Sequence, residues 1–312
     1  MEVSVQAKQA LAQVRQVIVG KDNVLTWVMC AMLSGGHILL EDIPGVGKTT
    51  LGLAFAKTFG LEFGRVQFTP DVLPSDVTGF SMIDKNTMAM VYRPGAVLCN
   101  LFLADELNRA TSRTQSALLE AMEEGQVTVD GVTHPIPKPF TVIATQNPSG
   151  AAGTQLLPDS QMDRFAVRLS LGYPDAANEA EMIRSRQGQD PLTALEPLMN
   201  RQELLAMQQQ TAATFVADEV IDYIVALVAA TRNDPDLLRG ASPRASLAVT
   251  AMAKALAQLR GRDFVIPGDV QKVFAVTVAH RLLLKPQAEN AGQTPQQILE
   301  EILRRVPAPK LR

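Results

Sequence analysis

Several kinds of residue are scarce in this chain of 312 residues, and each shortage narrows the class of protein. There are two cysteines, Cys30 and Cys99, with no metal-ligand spacing around either, so we expect buried, reduced thiols in a cytoplasmic protein. Basic residues are not in excess, since the formal net charge is −3, and this argues against a dedicated nucleic-acid binder. A basic region followed by an apolar run is lacking at the N-terminus, which predicts no signal peptide.

Long hydrophobic runs are scarce too. One stretch, residues 24–40, contains no Asp, Glu, Lys or Arg. It is shorter than the roughly 20 residues that a membrane span needs, and two glycines at 35–36 interrupt it. We therefore predict a buried helix over about 23–33, a buried strand over 37–41 and no membrane span. The length of the chain exceeds one compact core, so two domains are expected.

What the sequence does contain is an apolar strand, a glycine-rich loop and a helix start in direct succession. The segment consists of Leu39 and Leu40, then Glu41 to Ile43, then Pro44, Gly45, Val46, Gly47, Lys48, Thr49 and Thr50. Its glycines let successive N–H groups converge on a phosphate, and the helix N-terminus adds positive potential. Lys48 would reach the β- and γ-phosphates, and Thr49 would ligate Mg²⁺. The strand before and the helix after favour this over an ordinary glycine turn.

One residue departs from the phosphate-loop pattern. Asp42 stands where the pattern usually begins with glycine. A carboxylate pointing at a triphosphate would be repulsive. We therefore expect its side chain to point away from the nucleotide or to be held by a backbone donor.

Two later apolar runs end in polar side chains. Residues 96–104 read as a strand that ends at Asp105 and Glu106, and a strand over 140–145 is followed by Asn147. The carboxyl ends of parallel strands form the ligand edge of an open sheet. Asp105 is therefore predicted to support Mg²⁺ and Glu106 to polarise the attacking water, rather than merely to end the strand. For Asn147, a γ-phosphate contact and a simple turn before proline are equally compatible with the spacing.

The rest of the pattern predicts two insertions and a change of architecture. Alternating runs around turn residues predict hairpins over about 78–92 and 126–136, and the second is as compatible with a decorative edge as with a working role. Beyond residue 174 every segment reads as helix, so we predict a core of residues 1–174 and a helical domain of residues 175–312. The longer predicted helices cover about 176–187, 201–209, 217–231, 243–259, 267–280 and 295–305.

Six motifs in this order resemble the MoxR family of AAA+ ATPases, over about residues 15–285. They are Gly47-Lys48-Thr49, Asp105-Glu106-Leu107-Asn108-Arg109-Ala110, residues 114–122, residues 144–148, Gln161-Met162-Asp163-Arg164-Phe165 and Gly240-Ala241-Ser242-Pro243-Arg244. The resemblance implies an α/β fold. Its αβα core has a parallel sheet and the two hairpin insertions, one in the second helix and one before sensor 1. A smaller all-α lid domain follows.

The resemblance also implies roles for single residues. It implies ATP and Mg²⁺ as cofactors, with Glu106 activating the water and Asn147 acting as sensor 1. Arg164 resembles an arginine finger that reaches the neighbouring subunit's site, and Arg244 resembles sensor 2, reaching the γ-phosphate from the lid. On the residues alone, surface salt bridges would explain both arginines. Val19-Gly20 resembles the segment that lines the adenine pocket.

The function implied is that of an ATP-hydrolysing, chaperone-like remodeller. Such proteins form homo-oligomeric rings, often hexamers, and their clients are proteins with von Willebrand factor A domains, often carrying a metal-ion adhesion site. A nucleotide-dependent binding switch with slow turnover is an alternative from another class. A nucleic-acid motor has a thin electrostatic basis, because Lys85 and Lys138 are the basic residues near the hairpins. No Asn-Lys-x-Asp motif is present, which disfavours GTP.

Overall fold

The computed structural model describes residues 2–147, 157–188 and 190–310. The first part of the chain, in order, contains α1 (Val3–Arg15), α2 (Asp22–Leu33), β1 (Ile38–Glu41), α3 (Lys48–Thr58), β2 (Phe63–Gln67), α4 (Pro74–Thr78), β3 (Gly79–Ile83), β4 (Met90–Pro94), β5 (Leu101–Asp105), α5 (Ser112–Glu124), β6 (Gln126–Val129), β7 (Val132–Pro135), β8 (Thr141–Gln146), α6 (Asp159–Met162) and β9 (Val167–Leu169). The remainder contains α7 (Ala176–Ser185), α8 (Pro191–Ala194), α9 (Arg201–Ala212), α10 (Asp218–Arg232), β10 (Leu237–Arg239), α11 (Pro243–Leu259), α12 (Pro267–Val278), β11 (Leu283–Leu284), α13 (Pro286–Asn290) and α14 (Pro295–Arg305).

Five parallel strands form the central sheet, in the order β2-β5-β8-β1-β9. Alternate residues of each strand face opposite layers, so Leu39 and Phe102 pack with α5, whereas Leu40 and Leu103 pack with α1, α2, α3 and C-terminal helices. Both faces are covered, which explains why the central strands are apolar along their length. The prediction of a parallel αβα core is confirmed, and all five strands end at the edge where α3 begins.

Both predicted hairpins are present as separate two-stranded antiparallel sheets, β3–β4 and β6–β7. The rings of Tyr92 and His134 stack with centroids 3.6 Å apart and an interplanar angle of 10°, so the two insertions contact each other. The first insertion also includes the short helix α4, which the sequence did not indicate. The second hairpin packs against α5, and the first hairpin packs against α4, which in turn contacts α5.

The C-terminal part is helical, and the all-α prediction needs one correction. β10 and β11 form a two-stranded antiparallel pair, with Leu237 opposite Leu284. Strands of three and two residues, more than 40 residues apart, leave no periodic pattern to read. Helix α1 packs against α11 as well as α3, so one apolar cluster continues from the sheet into the C-terminal helices.

The charge-free run and the cysteines behave as predicted, whereas one strand was predicted too long. Residues 24–40 form most of α2 and of β1, and no helix in the described ranges is long and apolar enough to cross a membrane. Cys30 and Cys99 are free and buried, and burial raises the pKa of each thiol to about 12. In the apolar run 96–104, the N–H groups of Ala96 and Val97 donate to Asp76 and Val77, so that part joins the first insertion and β5 starts later.

Candidate nucleotide-binding site

The glycine-rich loop joins β1 to α3 in the conformation that its sequence favours. Gly45 and Gly47 have φ angles of 87° and 94°, in the region that glycine adopts without strain. Helix α3 begins at Lys48, whose ammonium donates to the carbonyl oxygens of Asp42 at 2.8 Å and Ile43 at 3.3 Å. The lysine is thereby folded back over the loop, in the position where it can meet a phosphate.

A cavity of about 380 Å³ lies over this loop at the carboxyl edge of the sheet. It brings together the loop lysine, the following hydroxyl, the two carboxylates at the end of β5 and the amide after β8. Its lining consists of Pro44, Gly45, Gly47, Lys48, Thr49, Thr50, Arg65, Gln67, Asp105, Glu106 and Asn147. Asn147, for which the spacing left two roles open, thus faces the same cavity as the phosphate loop.

The surroundings of Lys48 act on its pKa in opposite directions. Burial lowers the pKa of Lys48 below its ordinary range, and the nearby carboxylates of Asp42, Asp105 and Glu106 act in the opposite direction. Burial removes water from the ammonium, and the approach of an anion offsets that loss. Phosphate oxygens would supply that anion.

Thr145, near the end of β8, contacts the carboxylate of Asp105 and the backbone of Glu106. Its hydroxyl donates to Oδ1 of Asp105 at 2.8 Å and accepts the N–H of Glu106, also at 2.8 Å. Glu106 adopts a left-handed backbone with φ of 57°, which is uncommon for a residue other than glycine. This fully buried threonine therefore fixes the strained turn that directs Glu106 into the cavity.

Two arginines pair with these carboxylates. Arg65 on β2 donates to Oδ2 of Asp105, and Arg109 donates to Oε2 of Glu106, each at 2.8 Å. Sequence reasoning did not identify Arg65, Gln67 or Thr145 as site residues. A signal existed for the first two, because Arg65 and Gln67 are two residues apart near the carboxyl end of a strand and so share a face.

A second cavity, of about 350 Å³, continues from the first along the loop. Both cavities include Gly45, Gly47 and Thr50. The second adds mainly apolar or aromatic side chains, including Val17, Ile18, Val19, Val46, Leu171, Tyr173 and Met182. Val19 therefore lines this second cavity, and Gly20 provides the adjacent turn with φ of 72°.

Arg164 and Arg244 lie together, in a different place from the phosphate loop. They line a separate cavity of about 320 Å³, and both are absent from the described linings of the two loop cavities. The carboxylate of Glu123 forms ion pairs with both guanidinium groups. Its Oε2 lies 2.5 Å from Nη1 of Arg164, and its Oε1 is in close contact with Arg244. Arg244 thus does not line the cavity over the phosphate loop of its own chain, because its helix α11 starts beside Arg164, and its assignment as sensor 2 stays a prediction.

Comparisons with known proteins agree with this geometry. Residues 37–167 match the family described as "ATPase family associated with various cellular activities (AAA)", and residues 229–302 match the AAA lid domain. The chain is 40% identical to the chaperone MoxR1 of Mycobacterium tuberculosis, over 97% of this chain and 82% of that protein. The chain belongs to the MoxR family of AAA ATPases.

Two further relatives cover nearly the whole length of the chain. An uncharacterized protein of Bacillus subtilis, YeaC, is 44% identical over 96% of this chain and 94% of its own. The crystal structure of a candidate ATPase from Cytophaga hutchinsonii superposes with a TM-score of 0.92 at 36% identity, covering 99% of this chain and 96% of that one. The fold, the lid and the chaperone-like ATPase class are therefore those of the MoxR family.

In this MoxR-family ATPase the unusual Asp42 faces away from the phosphate cavity. Its carboxylate accepts the hydroxyl of Ser170 at 2.7 Å and the N–H groups of Leu171 at 2.6 Å and Gly172 at 2.9 Å. The side chain is buried, with 5% of the residue exposed. Asp42 thus links the start of the phosphate loop to the segment that leads out of the sheet towards α7. The expectation that its side chain points away from the nucleotide and is held by backbone donors agrees with these contacts.

The residues present fit Mg²⁺ as a partner of a bound nucleotide. Thr49 and Asp105 offer hard oxygen donors in one cavity, as Mg²⁺ prefers. Within the described ranges no group of three or more His, Cys, Asp or Glu side chains could hold a metal alone. This donor set suits an ion that takes its remaining ligands from substrate phosphates and water.

Proposed function

We propose that the protein hydrolyses ATP in the two joined cavities and that the reaction depends on Mg²⁺. The observation that carries this proposal is the meeting of Lys48, Thr49, Asp105, Glu106 and Asn147 in one cavity over the phosphate loop. Lys48 would hold the β- and γ-phosphates, while the amide of Asn147 would contact the γ-phosphate or the attacking water. Mg²⁺, when held by Thr49 and Asp105, would neutralise charge on the phosphate oxygens.

We assign Glu106 the role of general base for the attacking water. Its carboxylate reaches the cavity because Thr145 holds the left-handed backbone at this residue. General bases in such positions contribute about 10²–10⁴-fold to the rate. The ion pair with Arg109 keeps this carboxylate oriented before the substrate arrives.

We propose a homo-oligomeric ring, a hexamer by family resemblance, in which Arg164 and Arg244 act on the nucleotide of the adjoining subunit. Their convergence on Glu123 supports this, since two guanidinium groups around one carboxylate can equally bind a phosphate. The side chains of Arg164 and Arg244 are 28% and 50% exposed, so a neighbour could reach both. An arginine supplied in trans is worth about 10³–10⁵ in rate in related NTPases.

We further propose that the ATPase cycle remodels cytoplasmic proteins that contain von Willebrand factor A domains, or their metal-dependent assembly. This part rests on the family resemblance. A surface suited to client contact exists on the first hairpin, where five large apolar side chains are exposed. They are Phe80, Met82, Ile83, Met88 and Met90.

The Glu106→Gln variant tests the ATPase assignment. It should bind ATP like the unchanged protein and lose at least about 100-fold in phosphate release, because an amide cannot accept the water proton. Glu301→Gln, on the exposed side of α14, is the matched control and should hydrolyse normally. Undiminished hydrolysis by Glu106→Gln would contradict the assignment.

The same variant tests the partner. Loaded with ATP, it should retain clients, and recovery of a von Willebrand factor A protein from native lysate would support the proposal. Persistent recovery of nucleic acid would contradict it. Client activation that works equally well with a non-hydrolysable ATP analogue would indicate a binding switch instead of a remodeller.

A further inference from the structure

The segment that carries Arg164 is held by residues from the C-terminal helical part of the same chain. Arg281, just after α12, donates to the carbonyl oxygens of Asp163 at 3.1 Å and Phe165 at 2.8 Å. His280 also contacts the carbonyl oxygen of Phe165, at 3.0 Å. The backbone on both sides of Arg164 is therefore fixed to the lid, about 118 residues further along the chain.

Asp163 is the centre of this attachment. Its Oδ1 accepts Nε–H of Arg281 at 2.7 Å, and its Oδ2 accepts the hydroxyl of Ser242 at 2.8 Å. The Arg281 side chain is 3% exposed and that of Asp163 is 19% exposed. A cation this buried needs its carboxylate partner, so the pair is a specific link and not a surface contact.

Ser242 extends the link to the second arginine. It is the N-cap of α11, and its hydroxyl oxygen accepts the N–H of Arg244 at 3.2 Å while donating to Asp163. The Asp163 carboxylate thus binds the N-cap of the helix that carries Arg244. Asp163 also immediately precedes Arg164 in the chain. The guanidinium groups of both arginines pair with the carboxylate of Glu123. The two arginines are therefore linked through Asp163 near their backbones and through Glu123 at their guanidinium groups.

We propose that Asp163 is a positioning residue that fixes the Arg164 segment to the lid at the start of the helix that carries Arg244, so that both arginines are presented together to the adjoining subunit's nucleotide. Lid orientation in one subunit then sets the arginine geometry in the next site. This inference rests on the proposed ring with arginines acting in trans. It adds the claim that the two arginines depend on one buried carboxylate.

Asp163→Asn is the direct test. The amide keeps the shape of the side chain but cannot neutralise Arg281, so the arginine segment loses its ion pair to the lid and keeps only the hydrogen bonds to its backbone carbonyl groups. We expect ATP turnover of the assembled protein to fall by about 100-fold, as for a reacting group displaced by about 1 Å, while KM for ATP changes less than about two-fold. Asp222→Asn, on the exposed side of α10, is the control and should behave like the unchanged protein.

Mixed rings separate positioning from loss of fold. Asp163→Asn chains keep an intact phosphate loop and Glu106, whereas Glu106→Gln chains keep intact arginines. The two variants are produced together in equal amounts with different tags. An active site then needs the phosphate loop and Glu106 of an Asp163→Asn chain beside the arginines of a Glu106→Gln chain. With random assembly, about one quarter of the interfaces should have this arrangement. Activity above that of either variant alone supports the inference. Rings of Arg164→Ala and Glu106→Gln chains provide the reference.

Each outcome has a distinct meaning. If the reference rings recover activity but the Asp163→Asn rings do not, or if Asp163→Asn alone keeps full turnover, the inference is overturned and the proposed function stands. If the reference rings stay inactive, the trans arrangement itself is wrong and the inference fails with it. Should Asp163→Asn not fold, Ser242→Ala decides, because it removes one link only. Its turnover should fall several-fold and recover in mixed rings, and unchanged turnover would overturn the inference.

Discussion

Replacing Asp42 by asparagine should weaken the fold without strengthening ATP binding. Oδ1 of Asp42 accepts hydrogen bonds from Ser170 and Gly172, and Oδ2 accepts the N–H of Leu171. An asparagine has one carbonyl oxygen for these positions. Whichever way its amide is turned, at least one buried backbone N–H faces an NH₂ group and loses its acceptor.

The magnitude follows from that count. A hydrogen bond to a charged acceptor contributes about 1.5–3 kcal/mol, and an orphaned buried donor costs about 1–3 kcal/mol, so we expect a loss of about 2–3 kcal/mol. For 312 residues, with an unfolding entropy of about 2.1 cal/mol/K per residue, that corresponds to a decrease of roughly 3–5 °C in melting temperature. ATP affinity should not rise, because the carboxylate faces residues 170–172 and not the phosphates.

The assay pairs thermal unfolding with titration of a fluorescent ATP analogue, on Asp42→Asn and on Asp222→Asn as the control. The control should leave both the melting temperature and the affinity unchanged. An Asp42→Asn protein with an unchanged melting temperature and several-fold tighter ATP binding would refute the reasoning. That result would mean that the carboxylate points at the nucleotide after all.

Two further changes probe the site and the core. Thr145→Val removes the hydroxyl that joins Asp105 to Glu106, so turnover should fall about 10- to 100-fold with ATP binding retained, while Thr128→Val leaves both unchanged. Burial lowers the pKa of His37 to about 4, so the unfolded chain alone gains a proton between pH 6.5 and 4. The contribution of His37 to the free energy of unfolding should therefore be fully present above pH 6.5 and should fall by about 3 kcal/mol by pH 4, as urea titrations can measure. The His37→Gln variant should lack this part of the acid sensitivity.

Local features of the site could be predicted from the sequence. The phosphate loop, Asp105 and Glu106 follow from strand ends and turn residues that are adjacent in the chain. The hairpins follow from alternation and turn residues, and the parallel core from nearly continuous apolar runs. Asn147 was undecided on spacing alone, because its place in the cavity depends on β8 lying beside β5 in the sheet.

Contacts between distant residues could not be predicted. Asp42 meets Ser170 across 128 positions, and Arg244 meets Glu123 across 121 positions, so no local pattern signals either. The overlong strand at 96–104 has a related cause. An apolar run shows burial but not whether its N–H groups bond to the sheet or, as at Val97, to a neighbouring insertion.

The claim that ATP is hydrolysed at a site shared between subunits is tested most directly by turnover per chain as a function of protein concentration, followed together with sedimentation. We expect separate subunits to be poor ATPases and turnover per chain to rise steeply as rings assemble. Arg164→Ala should assemble over the same concentrations without that rise. Turnover per chain that stays constant through assembly would contradict a shared site.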